Sequence, residues 1–164
     1  MRRWVTFHQP RASWQEIVID LVGSIAAMGV LVLITEVTQL PILWAPFGGT
    51  LVLIFAAQRS PFAQPVNVLG GHLLSAGISL IMVWLLPHNT WTLVLTVGVV
   101  IAAMRLARVT HPPAGANPIV IYLAQPLWWV VLPSLAVGAL AILLMGYLIH
   151  RLTRSEYPVR RPAS

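Results

Sequence analysis

HPPAGANP, residues 111–118, is the stretch of this chain that decides how the rest must fold. It packs three prolines, a glycine, an imidazole and an amide into eight positions between apolar segments. Proline lacks a backbone N–H and disfavours helix at the residue before it, so His111 and Pro112 are expected to be extended or turned. Asn117 before Pro118 then predicts a helix start, with Asn as N-cap and Pro at the first helical position. The chain therefore enters a hydrophobic region non-helically and becomes helical partway through.

The composition is that of an integral membrane protein. Of the 164 residues, 58% are hydrophobic and 9% are charged, and the mean hydropathy is +0.83. Soluble domains carry about 25% charged residues, so this chain cannot cover a water-facing surface. The formal charge of +6 comes from arginines that fall at segment ends, so we interpret them as topology markers and expect no nucleic-acid partner. The absence of cysteine excludes disulfides and thiolate metal sites.

Six apolar segments predict an all-α membrane protein. About 20 helical residues cross a typical bilayer core, and the four long segments cover residues 17–38, 66–86, 91–108 and 127–150. The other two are short and broken by Pro and Gly. Residues 42–57 are interrupted by Pro46, Gly48 and Gly49, and residues 119–125 follow the 111–118 stretch.

These segments divide the chain into three parts. Residues 1–16 form a basic, aromatic segment expected at the inner interface, and residues 17–150 form the transmembrane domain. The halves of that domain cover about 17–88 and 89–150. Residues 151–164 form a basic cytoplasmic tail.

The arginines predict how the six segments thread through the bilayer. With the N-terminus in the cytoplasm every arginine lies inside, as the positive-inside rule requires, and both termini are cytoplasmic. We therefore expect the inner membrane as the location. The outer boundary then collects Trp44, Trp84, Trp91, Trp128 and Trp129. The alternative is a four-crossing chain with both short segments re-entrant, which leaves Arg59 on the wrong side unless the chain dips back.

An internal repeat relates the two short segments. A shift of 67 positions places PFGGTLVLIFAAQ, residues 46–58, on PAGANPIVIYLAQ, residues 113–125, with shared Pro, Gly, Ile, Ala and Gln. IAAM also recurs, at 25–28 and 101–104. Chance similarity between apolar helices is the alternative. A true repeat predicts a 3+3 inverted arrangement, because halves with three crossings each insert in opposite orientations.

The two broken segments predict a site for a small monovalent anion. Segment two enters from outside and segment five from inside, so their helix N-termini point at one another near the midplane. Each N-terminus presents unpaired N–H groups and roughly +0.5 elementary charge, so the pair supplies about one positive charge. Backbone amides at residues 48–50 and 115–117 are the expected ligands of the ion. The alternative is a pair of kinked helices that pack through small residues.

His72 and His111 are the histidines expected inside the membrane. His111 is either a structural residue bonded to backbone or a gate or proton carrier, and His72 lies deeper in segment three. No metal-ligand spacing, nucleophile elbow or phosphate loop is present, so we expect neither an enzyme nor a cofactor. The predicted substrate-binding residues are Pro46, Phe47, Gly48, Gly49, Thr50, Asn67, His72, His111, Pro112, Pro113, Ala114, Gly115, Ala116 and Asn117.

Three motifs in this order resemble the HPP family of small integral membrane proteins. They are PFG at 46–48, SPFAQPVNVLGGH at 60–72 and HPPAGA at 111–116, and the similarity covers most of residues 17–150. Family members from cyanobacteria and plant chloroplasts have been assigned nitrite transport. The resemblance therefore implies nitrite or a similar anion as the substrate.

We expect a membrane transporter or channel for a small monovalent anion, with nitrite as the anion that the resemblance implies. Two alternatives stay open. One is a proton-linked or cation transporter that uses His72, His111 and Asp20, and the other is a non-transporting membrane sensor or scaffold. So short a chain makes a thin bundle, which predicts a homo-oligomer in the lipid bilayer.

Overall fold

Six helices appear where the six apolar segments were predicted. The computed structural model describes residues 10–159, and within that range it contains helices and turns but no strand. Residues 1–9 and 160–164, with parts of the predicted basic segment and tail, lie outside it. The helices are α1 (Trp14–Thr38), α2 (Pro46–Ala56), α3 (Pro65–Leu85), α4 (Thr90–Leu106), α5 (Asn117–Ala124) and α6 (Trp128–Leu152). Two 3₁₀ turns, Pro61–Ala63 and Pro112–Ala116, precede α3 and α5.

Three of these helices have the length and composition of a membrane span. They are α1, α3 and α6, while α2 and α4 are shorter apolar helices. α1 buries a small part of its surface and exposes Leu21, Ile25 and Leu33, among others. Such a face is suited to lipid rather than to water.

Local sequence explains where several helices begin. Ser13 and Glu16 form a capping box at the start of α1, with the Ser13 N–H donating to the Glu16 carboxylate over 2.7 Å. The Asn89 side chain caps α4 by accepting the Thr92 N–H over 3.0 Å. α2 and α3 each begin with proline, whose missing N–H costs nothing at a first helical position.

The 111–118 stretch begins as predicted but ends differently. His111 is extended, with φ −135° and ψ 102°, and Pro112–Ala116 form the 3₁₀ turn. The prediction of Asn117 as an N-cap is wrong, because Asn117 is already helical (φ −55°, ψ −42°) and makes no capping bond. Its amide instead reaches across to α3, where it bonds the carbonyl and a ring nitrogen of His72.

α3 lies at the centre of the bundle. It packs against α4, α5 and α6, while α1 packs against α2 and α6. α2 also touches the Pro112–Ala116 turn, so the two broken segments meet. Large buried side chains from α2 fill the space between helices, chiefly Phe47, Ile54 and Phe55. Close packing around them depends on glycine: a Cβ at Gly138 of α6 would overlap the Phe47 ring.

The bundle has an arginine end, defined by Arg59, Arg105, Arg108, Arg151 and Arg154. Glu16, Arg59 and Arg154 line one polar cavity of about 570 Å³, so α1 starts where α2 and α6 finish. The Asn67 side chain donates to the Thr110 carbonyl over 2.9 Å, which joins the start of α3 to the segment after α4. The charge separation predicted from the sequence is therefore present in the structure.

The chain after α6 folds back over the arginine end. The Tyr157 hydroxyl donates to the Ala63 carbonyl over 2.9 Å, and the Val159 N–H donates to the Gln64 side chain over 2.9 Å. Burial raises the pKa of Tyr157 above its ordinary value, so its phenol stays a donor throughout the physiological range. Residues of the predicted tail thus belong to the folded unit.

Two helices end at the arginine end with an arginine in the left-handed region. Arg108 after α4 has φ 59° and Arg154 after α6 has φ 58°. Each closes its helix, because the next residue donates back to a carbonyl: Val109 to Met104 over 3.0 Å and Ser155 to His150 over 2.8 Å. Glycine is the usual residue at this position because it has no Cβ.

The opposite end carries tryptophan, and one of the predicted boundary tryptophans is buried. Trp84 and Trp128 line an apolar cavity of about 620 Å³ there, and His88 stacks on Tyr122 with centroids 4.0 Å apart. Trp44, predicted at the outer boundary, is 7% exposed, and its indole N–H donates to the Ser134 hydroxyl of α6 over 3.0 Å. It packs inside because that hydroxyl satisfies its polar atom.

Gly138→Ala tests the packing of α6 on α2. We expect a loss of about 1–3 kcal/mol, because the added methyl must displace the buried Phe47 ring. Gly98→Ala on α4 is the control: nothing lies within 4 Å of its Cβ, so alanine should be neutral or stabilising by up to about 1 kcal/mol. The measurement is the thermal unfolding midpoint in one detergent. Equal midpoints for the two variants would contradict this packing.

Candidate functional site

Four polar side chains meet inside the apolar bundle. They are Thr50 of α2, His72 of α3, His111 before the Pro112–Ala116 turn and Asn117 of α5, and each is 0% exposed. His72 lies about two turns, or roughly 10 Å, into α3 from the arginine end. We call these four residues the histidine cluster. Buried polar groups at such depth are costly unless paired, and they mark candidate functional sites in membrane proteins.

One hydroxyl joins the two imidazoles. The Thr50 Oγ1 atom lies 2.9 Å from Nε2 of His72 and 2.9 Å from Nε2 of His111. It also lies 3.3 Å from the Pro46 carbonyl one turn earlier in α2. The two rings are 4.9 Å apart between centroids, and Phe47 packs edge-on against His72 at 5.1 Å. A single side chain of α2 therefore holds both histidines.

The second nitrogen of each ring is held from another element. His111 Nδ1 lies 2.8 Å from the Phe62 carbonyl, in the Pro61–Ala63 turn. His72 Nδ1 lies 3.2 Å from Asn117 Nδ2, which is also 3.1 Å from the His72 carbonyl. All four imidazole nitrogens thus have partners, and the partners come from α2, α5 and the Pro61–Ala63 turn.

Counting hydrogens assigns the tautomers of the neutral rings. The Phe62 carbonyl only accepts, so His111 Nδ1 carries the hydrogen and His111 Nε2 must accept one. The Thr50 hydroxyl supplies it, and because a hydroxyl has a single hydrogen, His72 Nε2 must donate to Thr50. His72 Nδ1 then accepts from the Asn117 amide N–H. The two rings therefore hold opposite tautomers.

Glycines in α2 and α3 let the 111–118 stretch approach this closely. A Cβ at Gly71 would lie 2.6 Å from the His111 Cβ and 3.0 Å from the Val109 carbonyl. A Cβ at Gly49 would lie 3.1 Å from Pro113 Cγ. The predicted convergence of the two broken segments is therefore a direct packing contact in the structure.

Other predicted site residues lie beside the cluster or away from it. Ala114 is buried, and its carbonyl accepts the Ser75 hydroxyl over 2.7 Å. Asn67 stabilises the approach to His111 through the Thr110 carbonyl rather than entering the cluster. A Cβ at Gly48 or at Gly115 would meet nothing within 4 Å. Pro112 is exposed and Ala116 is half-buried.

The backbone amides proposed as ion ligands are partly occupied in this conformation. The Gly48 N–H donates to the Ala45 carbonyl over 3.1 Å, and the Asn117 N–H donates to the Ala114 carbonyl. Binding of an ion by these amides stays a prediction. The groups that point into the cluster are side chains.

Three contributors to the site were not in the predicted set. Ser75 follows His72 by one turn of α3, the Phe62 carbonyl orients His111, and Gly71 admits the His111 backbone. The adjacency of two glycines to His72 was the available signal for Gly71. A carbonyl oxygen leaves no signal in the sequence, because every residue has one. Within residues 10–159, no three His, Cys, Asp or Glu side chains are grouped to hold a metal ion.

Comparisons with known proteins place the whole bundle in one family. The family model described as "HPP, transmembrane region" matches residues 9–158. A transmembrane protein of Dictyostelium discoideum is 32% identical over 162 residues, covering 91% of this chain and 52% of its own length. A second one from that organism is 32% identical over 131 residues, covering 74% of this chain and 46% of its own length. The chain thus spans about half the length of these curated relatives. No solved structure gives a significant match.

Thr50→Val tests the shared hydroxyl. It leaves an N–H of His72 and a lone pair of His111 buried without partners, so we expect a loss of about 2–4 kcal/mol. Thr96→Val is the matched control, since the Thr96 hydroxyl is also buried but bonds only its own helix at the Thr92 carbonyl, and its loss should cost about 1 kcal/mol or less. Unfolding midpoints in detergent measure both. Equal losses would contradict the shared bond.

The tautomer assignment has its own measurement. In ¹⁵N spectra of the purified protein at neutral pH, we expect the hydrogen of His111 on Nδ1 and that of His72 on Nε2. His72→Gln and His111→Gln assign the signals by removing them one at a time. Finding both rings in one tautomer would overturn the assignment.

Proposed function

The chain belongs to the HPP family of integral membrane proteins, and from this premise we propose that it is a transporter or channel for a small monovalent anion that binds at the histidine cluster. One observation carries the proposal: two half-length helices converge on a buried polar centre in an otherwise apolar bundle. Broken backbone at membrane depth is found where protein or a polar pathway satisfies it. Transporters place their substrate sites at such breaks.

Electrostatics favour an anion over a cation at this centre. α2 begins one turn before Thr50 and α5 begins at Asn117, so the N-terminal ends of both helices face His72. Each end contributes roughly half a positive charge. The cluster also holds N–H and O–H donors from His72, Thr50 and Asn117, and an incoming anion accepts hydrogen bonds from such donors. Nitrite is the specific anion we propose, on the resemblance of the motifs.

An inverted repeat is part of the proposal. In such a repeat α1 corresponds to α4, α2 to α5 and α3 to α6. The packed pair α1–α2 then corresponds to α4–α5, and the packed pair α1–α6 corresponds to α4–α3; both corresponding pairs also pack. α1 and α3 run away from the arginine end while α4 and α6 run toward it. Both observations support halves inserted in opposite orientations.

Repeat-related positions occupy related places around His72. Thr50 and Asn117 are equivalent under the 67-residue shift, and they bond the two different nitrogens of the His72 ring. Gly48 and Gly115 are equivalent and both face open space. These pairs support a shared origin of the two broken segments, with the binding site between them.

The described conformation is closed on both sides of the cluster, because its four side chains are fully buried. On the arginine side, the Phe62 carbonyl holds His111 while the neighbouring Ala63 carbonyl holds Tyr157. Movement of the Pro61–Ala63 turn would open a path from that end. Transport therefore requires at least one other conformation.

Membrane placement and assembly complete the proposal. With the arginine end in the cytoplasm, the start of α1 and the end of α6 both lie on the cytoplasmic side of the inner membrane. Exposed apolar faces on α1 and α4 are available to lipid and to a second copy, and we propose a homo-oligomer.

Two other functions make different predictions. Cation passage is disfavoured by the positive helix ends, and no acidic residue of the described chain hydrogen-bonds the cluster. Those residues are Glu16, Asp20, Glu36 and Glu156. A sensor or scaffold predicts that purified protein moves no anion at all.

Uptake by proteoliposomes tests the anion site. We expect influx of nitrite above that of protein-free vesicles, which report the leak of undissociated nitrous acid, with nitrate, formate and chloride as competitors. Asn117→Asp puts a negative charge in the cluster and should lower influx at least about tenfold, since like charges at this range repel by several kcal/mol at low effective dielectric.

Asn89→Asp is the control, because Asn89 caps α4 at the exposed opposite end and aspartate caps equally well. Equal influx in the two variants would contradict the site. Absence of influx for all four anions would contradict transport.

A further inference from the structure

We propose that the histidine cluster takes up one proton together with the anion, on either His72 or His111, so that the transported unit is electrically neutral. This inference rests on the proposed function and adds to it the coupling ion. It follows from what the neighbours of each imidazole nitrogen can do once an extra hydrogen is present.

His72 can accept the proton without moving a heavy atom. Both amide atoms of Asn117 lie near His72 Nδ1, with Nδ2 at 3.2 Å and Oδ1 at 3.4 Å. In the neutral ring Nδ1 accepts from the amide N–H. Once protonated, Nδ1–H donates to Oδ1, while the amide N–H keeps its bond to the His72 carbonyl at 3.1 Å.

His111 has an equivalent arrangement on its other side. When Nε2 gains a hydrogen, it donates to Thr50 Oγ1, which already accepts from His72. The Thr50 hydrogen then turns to the Pro46 carbonyl, 3.3 Å away. The added hydrogen finds an acceptor on either ring, Asn117 Oδ1 for His72 and Thr50 Oγ1 for His111.

The cluster holds one proton and not two. The rings are 4.9 Å apart between centroids, share one hydroxyl and are fully buried, so two imidazolium charges would repel strongly. Uptake forms one N–H bond with a proton from water on one side of the membrane. Release breaks that bond on the other side.

The groups facing the two rings supply no counter-charge. The rings contact each other, Thr50 and Phe47 of α2, Asn117 of α5 and the Phe62 carbonyl of the Pro61–Ala63 turn. The nearby Ser75 of α3 is also uncharged. The charged residues at the end of α4 and just after it, Arg105 and Arg108, are exposed at the arginine end. In α6, His150 bonds the Ile54 carbonyl over 2.8 Å. An imidazolium in this cluster therefore lacks an anionic partner until the transported anion arrives.

Proton and anion should consequently bind more tightly together than apart. Each supplies the charge that the other lacks, and coupling of this kind is reciprocal: the proton raises the affinity for the anion by the same factor as the anion raises that for the proton. The product of the two is a neutral pair. Its movement carries no net charge across the membrane.

Proteoliposomes containing the full chain test this with nitrite as the probe. The quantity measured is the initial influx of nitrite after the influx into protein-free vesicles has been subtracted. An inward tenfold proton gradient should raise this influx several-fold, and a potassium diffusion potential of either sign should leave it unchanged. A pH dye in the lumen should report one proton for each nitrite. These measurements use the unaltered protein, so they decide the question even if a variant fails to fold.

The assignment to the cluster is tested by the double variant His72→Gln, His111→Gln. We expect it to lose proton movement, while His88→Gln, at the exposed opposite end, keeps one proton per anion. Full coupling in the double variant would overturn the assignment.

Two further outcomes separate this inference from the proposed function. Nitrite influx that follows the membrane potential and moves no proton would overturn proton coupling and leave anion transport standing. No protein-dependent influx of nitrite, nitrate, formate or chloride would overturn both.

Discussion

The hydroxyl of Thr50 has one hydrogen and two imidazoles to bond, and the interior of this protein depends on how that hydrogen is placed. It bonds His111, which obliges His72 to donate in return. The same atoms tie α2 to α3 and to the 111–118 stretch. In a bundle surrounded by lipid, an unpaired polar group cannot form a hydrogen bond to water instead. A partly satisfied polar cluster would therefore destabilise the fold more than an apolar core at the same place. A complete cluster therefore specifies how the three elements are arranged.

The breaks in α2 and α5 are the structural cost of that arrangement. Prolines at the start of α2 and in the 111–118 stretch stop either segment from crossing as one continuous helix. What the backbone loses there is recovered by turns and by close packing, with Gly49 against Pro113 and Gly71 against His111. The outcome is a polar centre flanked by two helix N-termini, an arrangement that membrane proteins use to hold small charged solutes.

Much of this architecture could be predicted from the sequence because it depends on composition and spacing. Long apolar runs predicted the helices, the arginines predicted a charged end, and the shared Pro-x-Gly pattern drew attention to the two breaks. The hydrogen-bond partners of individual side chains were harder to predict. Asn117 had the local signature of a cap and Trp44 that of an interface residue, yet each bonds a partner far along the chain. Thr50 and His111 are 61 positions apart, and no local sequence pattern indicates that they form a hydrogen bond.

The arginines that end α4 and α6 in the left-handed backbone region each serve as a helix terminator and as a basic side chain. A non-glycine residue in this region costs roughly 1–2 kcal/mol of backbone energy, and a basic side chain near an anionic lipid surface gains about 1 kcal/mol. The two terms nearly cancel for Arg108 and for Arg154, in the orientation proposed above. A glycine at either position would relax the turn but release the helix from the headgroups. How deeply these two helices sit in the bilayer is thus coupled to how sharply each one stops.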